Sequence, residues 1–223
     1  MLRVSHIMAA SLVLLPALGF ALSLSPAQRS QAAQATAPLP TILVMGDSLS
    51  ASYGIRREEG WVALLEEHLI KKGVKAVVVN ASVSGETTAG GKARLSTLLS
   101  KHKPTHVVIE LGANDALRGQ PLGQTQENLT DMVRTAKKSG ARVLILGMRI
   151  PPNYGGAYAA RFEGVFAKTA QDTGAALVPF MLAGVADATD QATLFLPDGL
   201  HPNAKAQSRI LDTVWPELSK MLR

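Results

Sequence analysis

Apolar residues recur along the chain in two alternating rhythms. Continuous, largely β-branched runs at Ile42 to Met45, Ala76 to Val79, Val107 to Leu111, Val143 to Leu146 and Ala176 to Val178 each have the length of a buried strand. Between them the apolar spacing becomes helical: Trp61, Leu64, Leu65, His68 and Leu69 share one face, and Leu129, Met132, Val133 and Ala136 share another. A last helix is expected from Pro202, as a first-turn proline, to Leu222. Strands without polar alternation, separated by amphipathic helices, predict an α/β protein: a five-stranded parallel sheet covered on both faces, in three α/β/α layers. In such a sheet ligands bind beyond the carboxyl ends of the strands, so the chemistry is sought in the residues that follow each run.

Ahead of the first strand, Arg3 and His6 precede an apolar and small-residue run from Ile7 to Leu24, followed by Ser, Gln and Ala-rich sequence containing Ala33-Gln34-Ala35. This is the layout of a secretory signal peptide. Residues 1–35 are expected to be the leader, cut between Ser23 and Ala37, and residues 36–223 a single domain that is exported, periplasmic or secreted. The competing reading is an uncleaved anchor. Pro16 and Gly19 interrupt the run, whose length is marginal for about 30 Å of hydrocarbon, so stable membrane insertion after cleavage is not expected.

The formal charge of +6 over 223 residues falls to +4 once the leader is set aside, with 21 basic residues against 17 acidic. Basic residues form no run longer than a pair and are not interleaved with aromatics, which argues against a nucleic-acid partner. The chain has no cysteine. That excludes disulfides, thiolate metal sites, iron–sulfur clusters and a thiol nucleophile, so a nucleophile must be an oxygen or an amine. An exported protein without disulfides must also rely on its core alone.

Four small, polar, glycine-bearing segments remain: Gly46-Asp47-Ser48-Leu49-Ser50 after the first run, Asn80 to Thr88 after the second, Gly112-Ala113-Asn114-Asp115 after the third, and Asp198-Gly199-Leu200-His201-Pro202-Asn203 near the end. Ser48 stands where a strand is expected to turn into a helix, a place where a hydroxyl is exposed and backbone N–H groups point outward. Asp198 lies three residues before His201, a spacing that lets it reach Nδ1 and leave Nε2 facing out as a general base requires. Gly85 can offer an unobstructed N–H, and Asn114 an amide, to an oxyanion. Each has an ordinary alternative: a helix cap for Ser48, a loop pair for Asp198 and His201, turn chemistry for Gly85 and Asn114. Four such features at one sheet edge are hard to assign to coincidence.

In this order the four segments resemble blocks I, II, III and V of the SGNH hydrolases, also called the GDSL esterase/lipase family. The resemblance runs from about Pro40 to the last helix. It is strongest toward the bacterial thioesterase I, lysophospholipase L1 and arylesterase branch, through Asn80-Ala81-Ser82, Leu111 to Asp115, Arg149 to Gly155 and Asp198 to Asn203. It implies a flavodoxin-like SGNH hydrolase fold, with Ser48 as nucleophile, Asp198 and His201 completing the triad, and Ser48, Gly85 and Asn114 as the oxyanion hole. It also implies hydrolysis of carboxylic esters, extending to thioesters, through an acyl-enzyme, with no metal or cofactor. The implied partner is a small-molecule or lipid ester. Ala113 departs from the branch, which more commonly carries a second glycine there, and its methyl would narrow the site. Asp47 is expected to brace the turn by accepting backbone hydrogen bonds.

Met148 to Tyr154 follows the fourth run and should border the same cleft, which makes Met148, Ile150, Pro151 and Tyr154 candidate substrate-binding residues. Two other readings stay open, an O-acetyl esterase acting on envelope carbohydrate and a non-catalytic lipid or glycan binder. The size of the acyl site separates the first from a lipid hydrolase. Other motifs carry less. Gly85 to Lys92 brushes a P-loop but has Glu86 for its first glycine and Ala93 for its magnesium-binding hydroxyl. His102 and His106 stand four apart, but Pro104 separates them, so both are expected at the surface and not on a metal. Lys71 with Lys72, and Lys137 with Lys138, close predicted helices where the dipole favours them without any partner.

Overall fold

A computed structural model of the protein describes residues 39–223; the expected leader and its cut site lie outside the described residues. Five strands form one parallel sheet: β1 (Thr41–Gly46), β2 (Val77–Asn80), β3 (His106–Glu110), β4 (Arg142–Leu146) and β5 (Ala176–Val178), in the order β2-β1-β3-β4-β5. The three inner strands are buried almost throughout, which is why their sequences show no polar alternation. The helices are α1 (Trp61–Lys71), α2 (Thr88–His102), α3 (Ala113–Leu117), α4 (Leu122–Lys138), α5 (Gly156–Thr173) and α6 (Gln207–Met221). Helices α1 and α6 pack together over one face of the sheet, and α2, α4 and α5 cover the other. The expected three-layer α/β/α sandwich is the fold.

Helix α4 shows how the pattern builds the layers. Thr125, Asn128, Leu129, Met132, Val133 and Ala136 recur at three- and four-residue steps and are the residues it buries. Trp61, Phe162 and Phe166 are the largest side chains in the core, each completely or almost completely buried. The strand order reverses between β1 and β3, whose carboxyl ends form the crevice where a doubly wound sheet binds ligands.

Four local expectations are revised. Helix α6 begins at Gln207, not at Pro202. Pro202 is instead buried and bridged antiparallel to Phe195, and a short 3₁₀ turn, Ala204–Ala206, capped by the Asn203 side chain, leads into the helix. No helix follows Ser48 directly either. A single helical turn, closed by the Ala51 N–H on the Asp47 carbonyl, ends at Ser52, whose φ of 62° breaks the helical course. Lys137 does have a partner: its ammonium bonds the carbonyls of Thr173 and Gly174 and so caps the C-terminus of neighbouring α5.

His106 is buried rather than at the surface. Its Nε2 lies 2.9 Å from the Met221 carbonyl, which can only accept, so Nε2 carries the proton and Nδ1 accepts from Thr105 Oγ1 at 2.8 Å. Burial holds this imidazole below its ordinary pKa of 6.5. The unfolded chain therefore takes up the proton first as pH falls, and this contribution to stability is complete above pH 6.5 and lost below it. Melting temperature measured from pH 8 to 5 should decline from about pH 6.5 in the wild type, and less steeply in His106→Gln; parallel curves would show that His106 titrates alike in both states.

Candidate active site

The pairing of β1 with β3 sets Gly46 opposite Glu110, so the residues that follow the two strands emerge side by side. Ser48 follows β1, and Asn114 lies in the first turn of α3 just beyond β3. His201 comes from a distant loop that is folded back over them. The Phe195–Pro202 bridge closes that loop, with the Leu196 N–H on the His201 carbonyl at 2.8 Å and the Asn203 N–H on Leu194 at 2.8 Å. The Asn203 amide adds bonds to the carbonyls of Thr193 (2.8 Å) and Phe195 (3.1 Å). Asp198 and His201 are thereby presented at the tip of a small hairpin.

Three side chains meet there. Ser48 Oγ lies 2.9 Å from His201 Nε2, and His201 Nδ1 lies 2.7 Å from Asp198 Oδ2. A carboxylate only accepts, so Nδ1 holds the imidazole proton and Nε2 is free to accept from the serine hydroxyl. Asp198 Oδ1 takes the N–H groups of Leu200 (2.9 Å) and His201 (3.0 Å). The His201 N–H foremost, with the Leu200 N–H and the imidazole adding to it, lowers the Asp198 pKa to about 2 against the opposing effect of desolvation. The Tyr53 ring rests against the imidazole, centroids 4.4 Å apart.

In the segments that follow the strands, donors are left open. Neither the Ser48 N–H nor the Gly85 N–H makes a hydrogen bond among the described residues. Gly85 has φ of 77°, a left-handed conformation natural to glycine, and Arg118 fixes its peptide by donating to its carbonyl at 2.9 Å. Asn114 spends one amide hydrogen on Asp47 Oδ2 at 2.9 Å and has a second to give. Asp47 braces the turn as expected, through the Leu49 N–H on its Oδ1 at 3.0 Å, and holds Asn114 besides. A polarised hydroxyl, a base with its tautomer fixed, and free donors beside both form an arrangement suited to attack on a carbonyl and to stabilising the resulting oxyanion.

The site opens on a cleft of about 1080 Å³. Met148, Ile150 and Pro151 line it, as does Ala113 with its methyl. Tyr154 does not: the 3₁₀ turn Pro152–Tyr154 carries it away from the cleft, 44% exposed. The far wall, Leu117, Phe180, Leu182, Phe195 and Leu196, is apolar and was not singled out from the sequence.

Residues 44–209 match the model of the GDSL-like Lipase/Acylhydrolase family. The chain belongs to that family. Esterase TesA of Pseudomonas aeruginosa is 48% identical over 182 residues, covering 82% of this chain and 89% of that protein. The thioesterase 1/protease 1/lysophospholipase L1 of Escherichia coli is 38% identical over 182 residues, covering 82% and 85%. The crystal structure of the psychrotrophic esterase EstA from a Pseudoalteromonas species, inhibited by monoethylphosphonate, superposes with a TM-score of 0.77 at 43% identity, covering 82% of this chain and 98% of that one. As a GDSL-like acylhydrolase, the protein is an ester-bond hydrolase.

Beneath the Ser48 loop of this acylhydrolase lies a polar layer that sequence reading missed. Trp61 Nε1 donates to Ser50 Oγ (3.2 Å), Asn80 Nδ2 to the Ser50 carbonyl (2.8 Å), and the Gly46 N–H to Ser82 Oγ (3.0 Å). Gly46 has to be a glycine, because a Cβ there would lie 2.6 Å from a Glu110 carboxyl oxygen. Asp115 anchors the start of α2, accepting from Thr88 N–H (2.9 Å) and Oγ1 (2.5 Å). The hairpin bearing Asp198 and His201 is held instead by Asn203 and by buried Gln207, whose Nε2 donates to the Pro202 (3.1 Å) and Asn203 (3.3 Å) carbonyls while its Oε1 accepts the Trp61 N–H (3.0 Å). Asn203→Ala should cost about 1–3 kcal/mol in urea unfolding and lower kcat as His201 loses its place; unchanged stability would mean the bridge and Gln207 hold the loop without it.

Proposed function

We propose that the protein is a serine esterase in which Ser48 is the nucleophile, His201 the general base and Asp198 its orienting partner. His201 Nε2 takes the Ser48 proton as Oγ attacks the ester carbonyl, and the tetrahedral oxyanion is bound by the Ser48 and Gly85 N–H groups and the free Asn114 amide hydrogen. The imidazolium then returns its proton to the leaving alcohol or thiol, leaving an acyl-enzyme. Water, deprotonated by the same nitrogen, releases the acid. The observation that carries this reading is the unbroken line Ser48 Oγ to His201 to Asp198, at 2.9 and 2.7 Å, at the mouth of an apolar cleft. A fluorophosphonate probe should label Ser48, and Ser48→Ala should abolish both labelling and hydrolysis. Labelling at Ser50, Ser82 or Ser84 would overturn the assignment.

The cleft also bears on the substrate. A volume of about 1080 Å³ with Met148, Ile150, Leu182 and Phe195 on its walls far exceeds what an acetyl group fills. This favours longer acyl esters, lysophospholipids among them, over acetyl groups on carbohydrate, in keeping with the lysophospholipase named in the Escherichia coli relative. The leader supports an exported, periplasmic or secreted enzyme whose mature domain is residues 36–223; among the described residues no helix is long and apolar enough to cross a membrane. Ile150 is nearly buried against the cleft. Ile150→Ala should therefore lower kcat/KM for long acyl esters by about 1–3 kcal/mol and leave acetyl esters nearly untouched. Measured from acetyl to palmitoyl, equal losses at every length would indicate a packing defect instead.

A further inference from the structure

Glu110 ends β3 with no solvent exposure, and the reaction described above does not use it. Its Oε2 accepts twice, from the Asp47 N–H at 3.2 Å and the Ser50 hydroxyl at 2.8 Å. Ser50 is the donor in that contact, because its oxygen accepts from the Trp61 indole and its one hydrogen has no other acceptor among the described residues. Both donors thus converge on Oε2, and no donor reaches the buried Oε1. An ionised Glu110 would leave charge on an oxygen with no hydrogen bond in a site closed to water. A neutral Glu110 places its proton on Oε1 and uses Oε2 as the carbonyl acceptor, which matches the donors present. The neighbouring Asp47 carboxylate, by contrast, has a donor on each oxygen, the Leu49 N–H on Oδ1 and the Asn114 amide on Oδ2, so of the two acids it is the one equipped to carry the charge.

We propose that Glu110 is a positioning residue that keeps its proton at neutral pH and holds the Asp47 N–H on its Oε2, so that Asp47 stays in place as the charged acceptor that aims the Asn114 amide at the oxyanion. The assignment rests on Asn114 serving the oxyanion hole. Electrostatics agree with the geometry. Burial, and next the charge of Asp47, push the Glu110 carboxyl well above the usual carboxylate range, while burial raises Asp47 only to about 6 because Leu49 N–H, Asn114, His201 and Glu110 all favour its anion. Asp47, Glu110 and His201 are the ionisable groups that face one another here. At neutral pH the pair holds one proton and one charge, with the charge on the carboxylate that touches Asn114.

The test compares Glu110→Gln with Glu110→Met. Glutamine keeps a carbonyl acceptor and offers an N–H where the acid has its O–H, so it should hold kcat within about threefold of wild type. Methionine fills the volume but offers no acceptor to the Asp47 N–H or the Ser50 hydroxyl, and should lower kcat by about 10², the scale of losing one oxyanion donor, with KM little changed. At alkaline pH the wild type should lose kcat as Glu110 ionises, and Glu110→Gln should not. Infrared difference spectra of the wild type at pH 7 should contain the carbonyl stretch of a protonated carboxylic acid that is absent from Glu110→Gln. Glutamine as damaging as methionine, full activity in the methionine variant, or no such infrared band would each overturn the proposal. If Glu110→Met does not fold, the infrared band and the alkaline profile of Glu110→Gln decide. Hydrolysis surviving in Ser48→Ala would sink the triad reading instead, and would leave the infrared result standing.

Discussion

The parallel pairing of β1 with β3 is the contact on which the site depends. It aligns Gly46 with Glu110, so that the Ser48 loop and the Asn114 turn leave the sheet as neighbours at the point where strand order reverses. Two chain segments more than sixty residues apart could not otherwise hold a hydroxyl and an amide within reach of one carbonyl. The pairing has a steric condition, since Gly46 has no side chain and its Cα lies against the Glu110 carboxyl and Ser50. It also has an electrostatic condition, because a carboxyl at the buried end of a strand must find partners inside the protein. The Asp47 N–H and the Ser50 hydroxyl meet that need, and in doing so tie the Ser48 loop to the sheet.

Much of this was legible in the sequence, for a physical reason. In a doubly wound sheet the strands are uniformly apolar and the polar groups are expelled to the strand ends, so Ser48, Gly85 and Asn114 stood out as the small polar residues beyond each apolar run. Glu110 escaped by the same logic. It sits within the run Val107 to Leu111, which reads as continuous only if the one acid in it is passed over, and that acid was the signal. His106 was misread because polarity beside a proline suggests surface, whereas its two ring nitrogens find Thr105 and the Met221 carbonyl inside. Tyr154 was placed in the cleft by counting residues from a strand end; a short 3₁₀ turn reverses the chain before it arrives. The apolar far wall from Phe180 to Leu196 was invisible for a different reason. It belongs to a loop without periodicity, whose place over the cleft is set by the Phe195–Pro202 bridge and not by any local pattern.

Three carboxyl groups within this small region show how environment assigns roles to similar side chains. Asp198 sits on an exposed loop with two backbone N–H groups on one oxygen and an imidazole on the other, and these hold it ionised down to about pH 2. Asp47 is buried, accepts from Leu49 and Asn114, and titrates near 6. Glu110 is buried more completely still, has donors on one oxygen only, and is pushed higher. Desolvation of the charged form is the leading cause for Asp47 and Glu110 and raises both, whereas for exposed Asp198 the hydrogen bonds lead and lower it.

The site also divides into two halves that are fastened in different ways. The half built from Ser48, Asp47 and Asn114 is fastened to the sheet through Glu110, Ser50, Trp61 and Asn80. The half built from Asp198 and His201 rides on a hairpin held by its own backbone bridge, by the Asn203 amide and by Gln207, which joins it to the Trp61 N–H. Donors aimed at developing charge must not reorganise during the reaction, so the anchored half suits oxyanion binding. The cleft wall made by Phe195 and Leu196 belongs to this same hairpin. Substrate packed against it therefore bears directly on the element that carries His201, and substrate packed against Ala113 and Leu117 bears in the same way on the helix that carries Asn114.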